Sequence, residues 1–555
     1  MTRKKFYDIE RYNFVGLVFL LFFFMVSMLP SLLPRPWWLQ GAVSGISMAV
    51  GYGLGTAVSW LARWLFEKEP KPGRKRQAWR ILKYAGIPLL IAILLLGRHW
   101  QNEVRMLLGV EPINASLLAV FILSAGLFVG LLGIARSVRR LARKLMRIAQ
   151  KKLPRRVGAS LGIVSAGLLV YLLISGVLLN GFLALANKGF GARDNTAPEG
   201  IIQPTQSERS GSPDSIVPWE KIGFQGRGFV GSGPSVSEIS DYNKSPAKEP
   251  IRVYAGLASA DTAEARAELA LAELKRTGAF DRKVLVVATS TGTGWLDPKV
   301  VDAIEFMHGG DTAIVSQQYS FLPSWISFLV DQQEARDAGR ALYDTVIDEW
   351  RTLPADSRPK LIVYGLSLGS FGGQSAFSGI NDIRRSTDGA LFVGSPNDSE
   401  VWRKTTDSRD AGSPEWQPVY KGGETVRFAS TKQDILADQT NWQGSRVLFV
   451  QHANDPVVWF SFDLIFHKPD WLSEPRGRAV SDDTAWYPVV TFLQVGLDQA
   501  IAASAPVGDG HYYMDTSVYA WAAVVPPDGW DQEKSASLQD FLNQTYYQEP
   551  SGSSL

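Results

Sequence analysis

The segment Gly365-Leu366-Ser367-Leu368-Gly369 follows directly on the apolar run Leu361-Ile362-Val363-Tyr364. A serine between two such glycines, at the turn from a buried strand into a helix, forms the nucleophile elbow of enzymes that attack acyl groups. The glycines let the chain fold tightly past the serine, so its hydroxyl stands clear of the sheet edge. The pattern therefore predicts that Ser367 is a nucleophile at the end of a strand.

Strands and helices alternate along the chain from residue 251 onward. Apolar runs predict strands at 251–257, 283–288, 313–316, 361–364, 389–393 and 447–451. Between several of them, helices are predicted at 262–275, 297–307, 332–350 and 368–378. Alternation of this kind is typical of parallel strands joined by crossover helices, so we expect an α/β fold.

An activated serine needs a general base, and the base needs an acid that orients it. With a nucleophile elbow these groups follow in the order serine, acid, histidine. Asp455 comes directly after the strand 447–451, and His511 lies on a glycine-flanked loop further on. We predict a triad of Ser367, Asp455 and His511. The alternatives, all of which follow the serine in the sequence, are Asp463 and Asp509 for the acid and His452 and His467 for the base.

An oxyanion formed at the serine needs backbone N–H donors. One donor in such sites is the residue after the nucleophile, here Leu368, and the second comes from the loop after an earlier strand. The segment Thr289–Trp295 is that loop, and Ser290 and Thr291 are its candidate donors. An ordinary strand-to-helix turn is the alternative reading of its glycines.

Four segments together resemble one known family. They are Thr291-Gly292-Thr293-Gly294-Trp295, the elbow at 365–369, His452-Ala453-Asn454-Asp455-Pro456 and Gly510-His511. The set resembles bacterial α/β-hydrolase membrane proteins, found largely in actinobacteria. The resemblance covers nearly the whole chain, most weakly across 190–245 and after about 530. It implies a multi-helix N-terminal region, an α/β-hydrolase domain and a serine-hydrolase site at these positions.

The N-terminal third has the composition of a membrane domain. Residues 1–190 hold 26 Lys and Arg against 6 Asp and Glu, whereas the rest holds 31 against 48. Uncharged apolar runs near 12–34, 40–62, 84–97, 115–135 and 157–186 predict about five transmembrane helices, the first an uncleaved anchor. Basic residues cluster at 3–5, 68–80 and 136–156, which places these segments in the cytoplasm and the C-terminal half outside. Pairs of glycines four residues apart indicate close helix packing.

We therefore expect a transmembrane domain over 1–187, a linker and packing segment over 188–250, a catalytic domain over 251–530 and a tail over 531–555. The motif Gly226–Gly231 matches a dinucleotide fingerprint formally, but it lacks the strand and helix that such a site needs, so a tight loop is expected. The residues between the strands at 389–393 and 447–451, which include Trp402, Trp416 and Trp442, are predicted to form a cap over the serine.

The expected function is an extracytoplasmic serine hydrolase, anchored in the cytoplasmic membrane, that cleaves esters of lipids or glycolipids. An acyltransferase using the same acyl-enzyme and a non-catalytic membrane scaffold are the alternatives. The chain contains no cysteine, which excludes disulfides, thiolate metal sites and cysteine nucleophiles. We expect no cofactor or metal and no nucleic-acid partner. Membrane lipids are expected contacts, and the sequence predicts no particular protein partner.

Overall fold

The computed structural model describes residues 12–67, 72–172, 181, 189–322, 326–328, 332–437 and 442–545. Contacts between residues divide the chain into two units. The helical unit comprises the residues up to Leu185 together with Phe462–Leu472 and Ala479–Ile501. The sheet unit comprises Ala186–Ser461, Ser473–Arg478 and the chain from Ala502 onward.

The secondary-structure elements alternate most regularly in the sheet unit. The strands are β1 (Ile251–Ala255), β2 (Val284–Thr289), β3 (Thr312–Gln317), β4 (Lys360–Leu366), β5 (Gly389–Val393), β6 (Val426–Ala429) and β7 (Arg446–Val450). The helices are α1 (Phe14–Ser27), α2 (Trp37–Phe66), α3 (Pro72–Leu107), α4 (Leu117–Ala149), α5 (Arg155–Leu172), α6 (Phe224–Gly231), α7 (Val236–Asn243), α8 (Ala263–Thr277), α9 (Pro298–Met307), α10 (Gln332–Thr352), α11 (Leu368–Gln374), α12 (Ile380–Ser386), α13 (Glu400–Asp407), α14 (Lys432–Leu436), α15 (Pro456–Trp459), α16 (Val490–Asp498), α17 (Ser517–Val524) and α18 (Gln532–Thr545).

Among the described residues of the helical unit, three helices are long and apolar enough to cross a membrane, namely α2, α3 and α4. The apolar helix α1 has only 14 residues, because the chain leaves the helix at Met28 and prolines follow at 30, 34 and 36. The part of the fifth predicted span at 173–180 and 182–186 lies outside the described residues, as does the basic segment at 3–5. Five crossings therefore remain a prediction, with three helices of sufficient length.

Glycines let the helices of this unit approach closely, as three of the four predicted pairs indicate. A Cβ built on Gly51 or Gly55 of α2 would lie 2.7 and 2.6 Å from backbone oxygens of α1. Gly41 and Gly45 face Leu123 and Leu127 of α4 in the same way. Gly158 and Gly162 of α5 face the end of α4, whereas Gly126 and Gly130 have no atom within 4 Å of such a Cβ among the described residues.

A segment predicted for the catalytic domain packs in the helical unit instead. Asp498, at the end of α16, accepts hydrogen bonds from Arg35 Nε and Ser31 Oγ, each at 2.6 Å. The side chains of Arg35 and Asp498 are both fully buried. Gln494 Nε2 also donates to the carbonyl of Leu29 at 3.1 Å. The predicted 251–530 domain is therefore interrupted, and its apolar helix α16 belongs to the N-terminal bundle.

The sheet of the other unit has seven strands in the order β1-β3-β2-β4-β5-β7-β6. Every paired neighbour is parallel, so all strands end at the same edge. Strands β2 and β7 are apolar and fully buried over Val284–Ala288 and Val447–Val450, as these continuous apolar runs predict. This arrangement confirms the expected α/β class and brings the ends of β2, β4, β5 and β7 together.

Part of the segment predicted to form a cap joins the sheet. Its residues contribute β6, which pairs with β7 as the edge strand, together with α13 and α14. Trp402 is almost fully buried and donates its indole N–H to Gln451 at 2.6 Å, and Trp442 packs in the core. The sequence did not predict this strand, because its four residues are too few to give a clear pattern.

The described part of the predicted linker, from residue 189, packs on the sheet. Ser210 N–H donates to the carbonyl of Arg252 at 3.0 Å, which adds a bridge beside β1. The glycine motif at 226–231 forms the short helix α6 rather than the expected tight loop. A Cβ on Gly226 would lie 2.5 Å from the ring of Tyr254, so the glycines allow close packing against β1.

We predict that Asp297→Asn stabilises the protein at alkaline pH. Asp297 caps α9 by accepting from Lys299 N–H at 2.9 Å, and its burial raises its pKa to about 6. The folded state therefore holds a proton that the unfolded state releases near pH 4, so this group costs stability as the pH rises from 4 to 6. Asparagine keeps the cap without the charge. We expect Asp297→Asn to raise the free energy of unfolding, relative to the wild type, by about 2–3 kcal/mol more at pH 8 than at pH 4.

The measurement is the thermal unfolding midpoint of the full chain in detergent at pH 4, 6 and 8. Asp528→Asn, which removes an exposed carboxylate, is the control. Its unfolding midpoint should differ from that of the wild type by the same amount at each pH. A constant difference between Asp297→Asn and the wild type across this range would contradict the prediction.

Candidate active site

Ser367 sits between β4 and α11 in a strained backbone conformation. Its φ and ψ are 56° and −125°, which a residue with a side chain rarely adopts. A Cβ on Gly365 would clash with the carbonyl of Gly369, and one on Gly369 would clash with the carbonyl of Thr289. Only glycine fits at both positions, so the elbow predicted from the sequence is confirmed as a tight strand-to-helix turn.

The turn is joined to the neighbouring strand β5. The N–H of Ser367 donates to the carbonyl of Val393 at 2.9 Å. The next residue, Gly394, has φ +54°, and a Cβ there would lie 2.6 Å from Cε1 of His511. The imidazole therefore packs against the chain directly after β5, next to the strand end that binds the serine backbone.

Asp455 lies at the end of β7, where it is fully buried. One carboxylate oxygen, Oδ1, accepts from the N–H of Val457 at 2.8 Å and so caps α15. The other, Oδ2, accepts from His511 Nδ1 and from the hydroxyl of Tyr513, each at 2.6 Å. Three donors thus hold both oxygens of a fully buried carboxylate in a fixed orientation.

Because the carboxylate of Asp455 accepts a hydrogen bond from His511 Nδ1, the ring proton is assigned to Nδ1. Its Nε2 then carries a lone pair, as a general base requires. This nitrogen is buried and has no hydrogen-bond partner among the described residues. It makes no hydrogen bond to Ser367 Oγ in the described chain, and in enzymes without substrate such bonds are often long.

The loop that carries His511 is held at several points. The N–H of His511 donates to Ala502 O at 2.9 Å, and the N–H of Gly510 donates to Asn454 Oδ1 at 3.0 Å. Asn454 also donates to Asp509, whose pKa burial raises to about 6. Asn454, next to the acid, is therefore hydrogen-bonded to Asp509 and Gly510, which precede the base, and these bonds hold the two loops together.

His452 lies close to the acid but has a different role from that of a base. Its Nδ1 faces the carbonyl of Gly510 at 2.8 Å, and its ring stacks on Tyr513 at 4.1 Å. Burial lowers the pKa of His452, which keeps the ring neutral. The sequence offered His452 as an alternative base, and it gave no signal for Tyr513, two residues after His511.

Of the predicted oxyanion donors, the structure brings Leu368 and Ser290 to the serine turn. Leu368 is the first residue of α11, where helix geometry leaves the N–H without an intrahelical acceptor. The carbonyl of Ser290 lies 2.9 Å from a Cβ placed on Gly369, so that loop adjoins the elbow. The N–H of Thr291 instead donates to Trp295 O at 3.0 Å and closes a turn, so this predicted donor is engaged elsewhere.

Asp463 and His467 are the remaining alternatives from the sequence. Both belong to the helical unit, in the segment Phe462–Leu472. Among the described residues, no three His, Asp or Glu side chains gather as metal ligands would.

Two family models match the chain. One, described as the alpha/beta-hydrolase family, matches residues 251–538, and one described as the N-terminus of an alpha/beta-hydrolase family matches residues 28–234. Among solved structures, a Trichoderma reesei cutinase in complex with a C11Y4 phosphonate inhibitor is similar at 13% identity, covering 47% of this chain and 87% of that chain with a TM-score of 0.21. No curated protein matches the sequence.

We predict that Tyr513→Phe slows the reaction of the serine with a fluorophosphonate probe about tenfold, because the carboxylate loses one charge-assisted hydrogen bond. The phenyl ring keeps the stacking on His452. The readout is the second-order labelling rate constant of the purified chain. Tyr343→Phe, which removes a buried bond of 3.2 Å to Ser386 O, is the control. Equal rates for Tyr513→Phe and wild type would show that the tyrosine does not orient the acid.

Proposed function

The chain belongs to the alpha/beta-hydrolase family, and we propose that it is a serine hydrolase that cleaves carboxylic esters of lipids or glycolipids. Ser367 is the proposed nucleophile, His511 the general base and Asp455 the acid that orients it. The observation that carries the proposal is the 2.6 Å bond between Asp455 and His511, with the imidazole packed beside the serine turn.

In the proposed reaction, Ser367 Oγ attacks the ester carbonyl while His511 Nε2 takes its proton. The negative charge on the former carbonyl oxygen is stabilised by the N–H of Leu368 and by the loop at Ser290. The C–O bond then breaks, and the leaving alcohol takes the proton from His511. Water attacks the acyl-serine through the same steps, releasing the carboxylic acid and restoring the serine. Asp455 stays ionised and stabilises the imidazolium.

The strain at Ser367 supports its proposed role. A residue held at φ 56° and ψ −125° costs of the order of 1–3 kcal/mol, which an ordinary connecting turn has no need to store. The surrounding glycines and the bond to Val393 O maintain that conformation. Strain of this kind presents the hydroxyl at a fixed direction from the sheet edge.

A lipid ester is the proposed substrate class because apolar side chains lie exposed in the segment after the acid. Phe462 and Phe466 are 61% and 74% exposed, whereas Trp459 and Trp471 are buried. The latter two are therefore core residues, and the phenylalanines are the ones available to a lipid surface. Exposed tryptophans at 37, 38, 60 and 64 also suit a membrane interface.

The proposed location is the cytoplasmic membrane. The helices α2, α3 and α4 provide candidate spans, and the basic segments at 68–80 and 136–156 favour the cytoplasmic side. If the first and fifth predicted runs cross as well, both basic segments lie in the cytoplasm and the sheet unit lies outside it.

We predict that Ser367→Ala and His511→Ala each lower kcat for p-nitrophenyl ester hydrolysis by at least about a thousandfold, since triad members act as a unit. Asp455→Asn should lower it to a similar degree, because the amide favours the wrong imidazole tautomer. The measurement is steady-state hydrolysis by detergent-purified full chain, with short-chain and long-chain acyl esters compared.

Ser378→Ala and His467→Ala are matched controls, because both side chains are exposed. They should retain wild-type kcat. Hydrolysis that persists in Ser367→Ala, or that falls equally in the controls, would contradict the proposed site. Product analysis with an added sugar or lipid alcohol would identify water or the alcohol as the acyl acceptor.

A further inference from the structure

A cavity in the helical unit has a cationic wall. It is lined by Arg35, Arg98, Gln101 and Arg105 on its polar side and by Trp37 and Leu117, among others, on its apolar side. The cavity itself is small, about 30 Å³, and it opens to the surface through a mouth; cavity and mouth together enclose about 420 Å³ of empty space. We call it the cationic cavity.

The polar wall comes from one face of a single helix. Arg98, Gln101, Asn102 and Arg105 are spaced at i, i+3, i+4 and i+7 on α3, so they form one stripe. The stripe begins directly after the uncharged run Tyr84–Gly97. If that run lies in hydrocarbon, the stripe lies at the depth of the lipid headgroups.

Two of the three arginines on this wall lack a carboxylate partner among the described residues. Arg35 is neutralised by Asp498, whose carboxylate accepts its Nε at 2.6 Å. Arg98 and Arg105 have no carboxylate partner within the described ranges. Arg105 is only 7% exposed and uses Nε alone, in a 2.7 Å bond to the carbonyl of Glu111. A buried guanidinium without a counter-ion is unfavourable, and a bound anion would offset that cost.

Gln101 adds an unused donor. Its Oε1 accepts the backbone N–H of Arg35 at 2.6 Å, which fixes the orientation of the amide. Its Nε2 is buried and has no partner in the part of the chain that the structure describes. Two guanidinium groups and this amide together offer N–H donors to one anion.

We propose that the cationic cavity binds the phosphate of an anionic membrane phospholipid. Guanidinium groups pair with phosphate oxygens through two parallel hydrogen bonds, and basic pockets between membrane helices suit such headgroups. Trp37 and Leu117 contact the acyl chains, which explains why apolar residues border the charged wall. The proposal rests on the membrane placement in the proposed function but not on the serine chemistry.

The test is native mass spectrometry of the detergent-purified full chain with phosphatidylglycerol or phosphatidylcholine of the same acyl chains. We expect the wild type to favour phosphatidylglycerol. The double variant Arg98→Gln, Arg105→Gln should bind this lipid at least about tenfold more weakly. Arg98→Gln alone should also weaken binding. Arg98 is half-exposed, so its replacement should preserve the fold even where Arg105→Gln disturbs it.

The matched control is Arg140→Gln, Arg143→Gln on α4, which removes the same charge from exposed positions. It should bind phosphatidylglycerol like the wild type. Equal loss in this control, or unchanged binding in the cavity variants, would overturn the proposal. Inorganic phosphate that competes at concentrations equal to the lipid would overturn the assignment to a lipid headgroup. Ester hydrolysis, assayed in parallel, distinguishes failure of this site from failure of the proposed function.

Discussion

The carboxylate of Asp455 organises the candidate site, because it is fully buried and receives three hydrogen bonds. Each bond comes from a different structural feature: the cap of α15, the loop of His511 and the hydroxyl of Tyr513. A buried carboxylate needs hydrogen-bond donors to offset the cost of leaving water, and these three groups supply them. The same bonds set the direction of the imidazole, and with it the base available to the serine.

The parallel sheet makes this arrangement possible. Since every strand ends at one edge, residues 367, 394 and 455 come together although up to 88 positions separate them in sequence. The glycines at 365, 369 and 394 then let backbone and rings approach at distances that any Cβ would prevent. Position in the sheet thus accounts for where the groups lie, and glycine accounts for how close they come.

Much of the sheet unit could be predicted because buried parallel strands are uniformly apolar and the elbow has a local signature. Strands β2, β5 and β7 agree with the sequence to within a residue or two. The edge strand β6 was missed because four residues give too weak a pattern. Tyr513 and the turn that occupies the N–H of Thr291 depend on tertiary hydrogen bonds, which leave no periodic trace in a single sequence.

The largest difference concerns the segment between the acid and the base. The sequence predicts a continuous catalytic domain here, yet two parts of it pack with the N-terminal helices, namely Phe462–Leu472 and Ala479–Ile501. The reason is a buried ion pair between residues 463 positions apart, Arg35 and Asp498. Neither residue is remarkable alone, since an arginine near a membrane run and an acid at a helix end are both common.

The most direct test of the central claim is to locate the adduct of a fluorophosphonate on the folded chain by digestion and mass spectrometry. The account predicts a single modified residue, Ser367, and no adduct in His511→Ala. Adducts spread over several serines, or no adduct at Ser367 in well-folded protein, would contradict an activated nucleophile at this elbow.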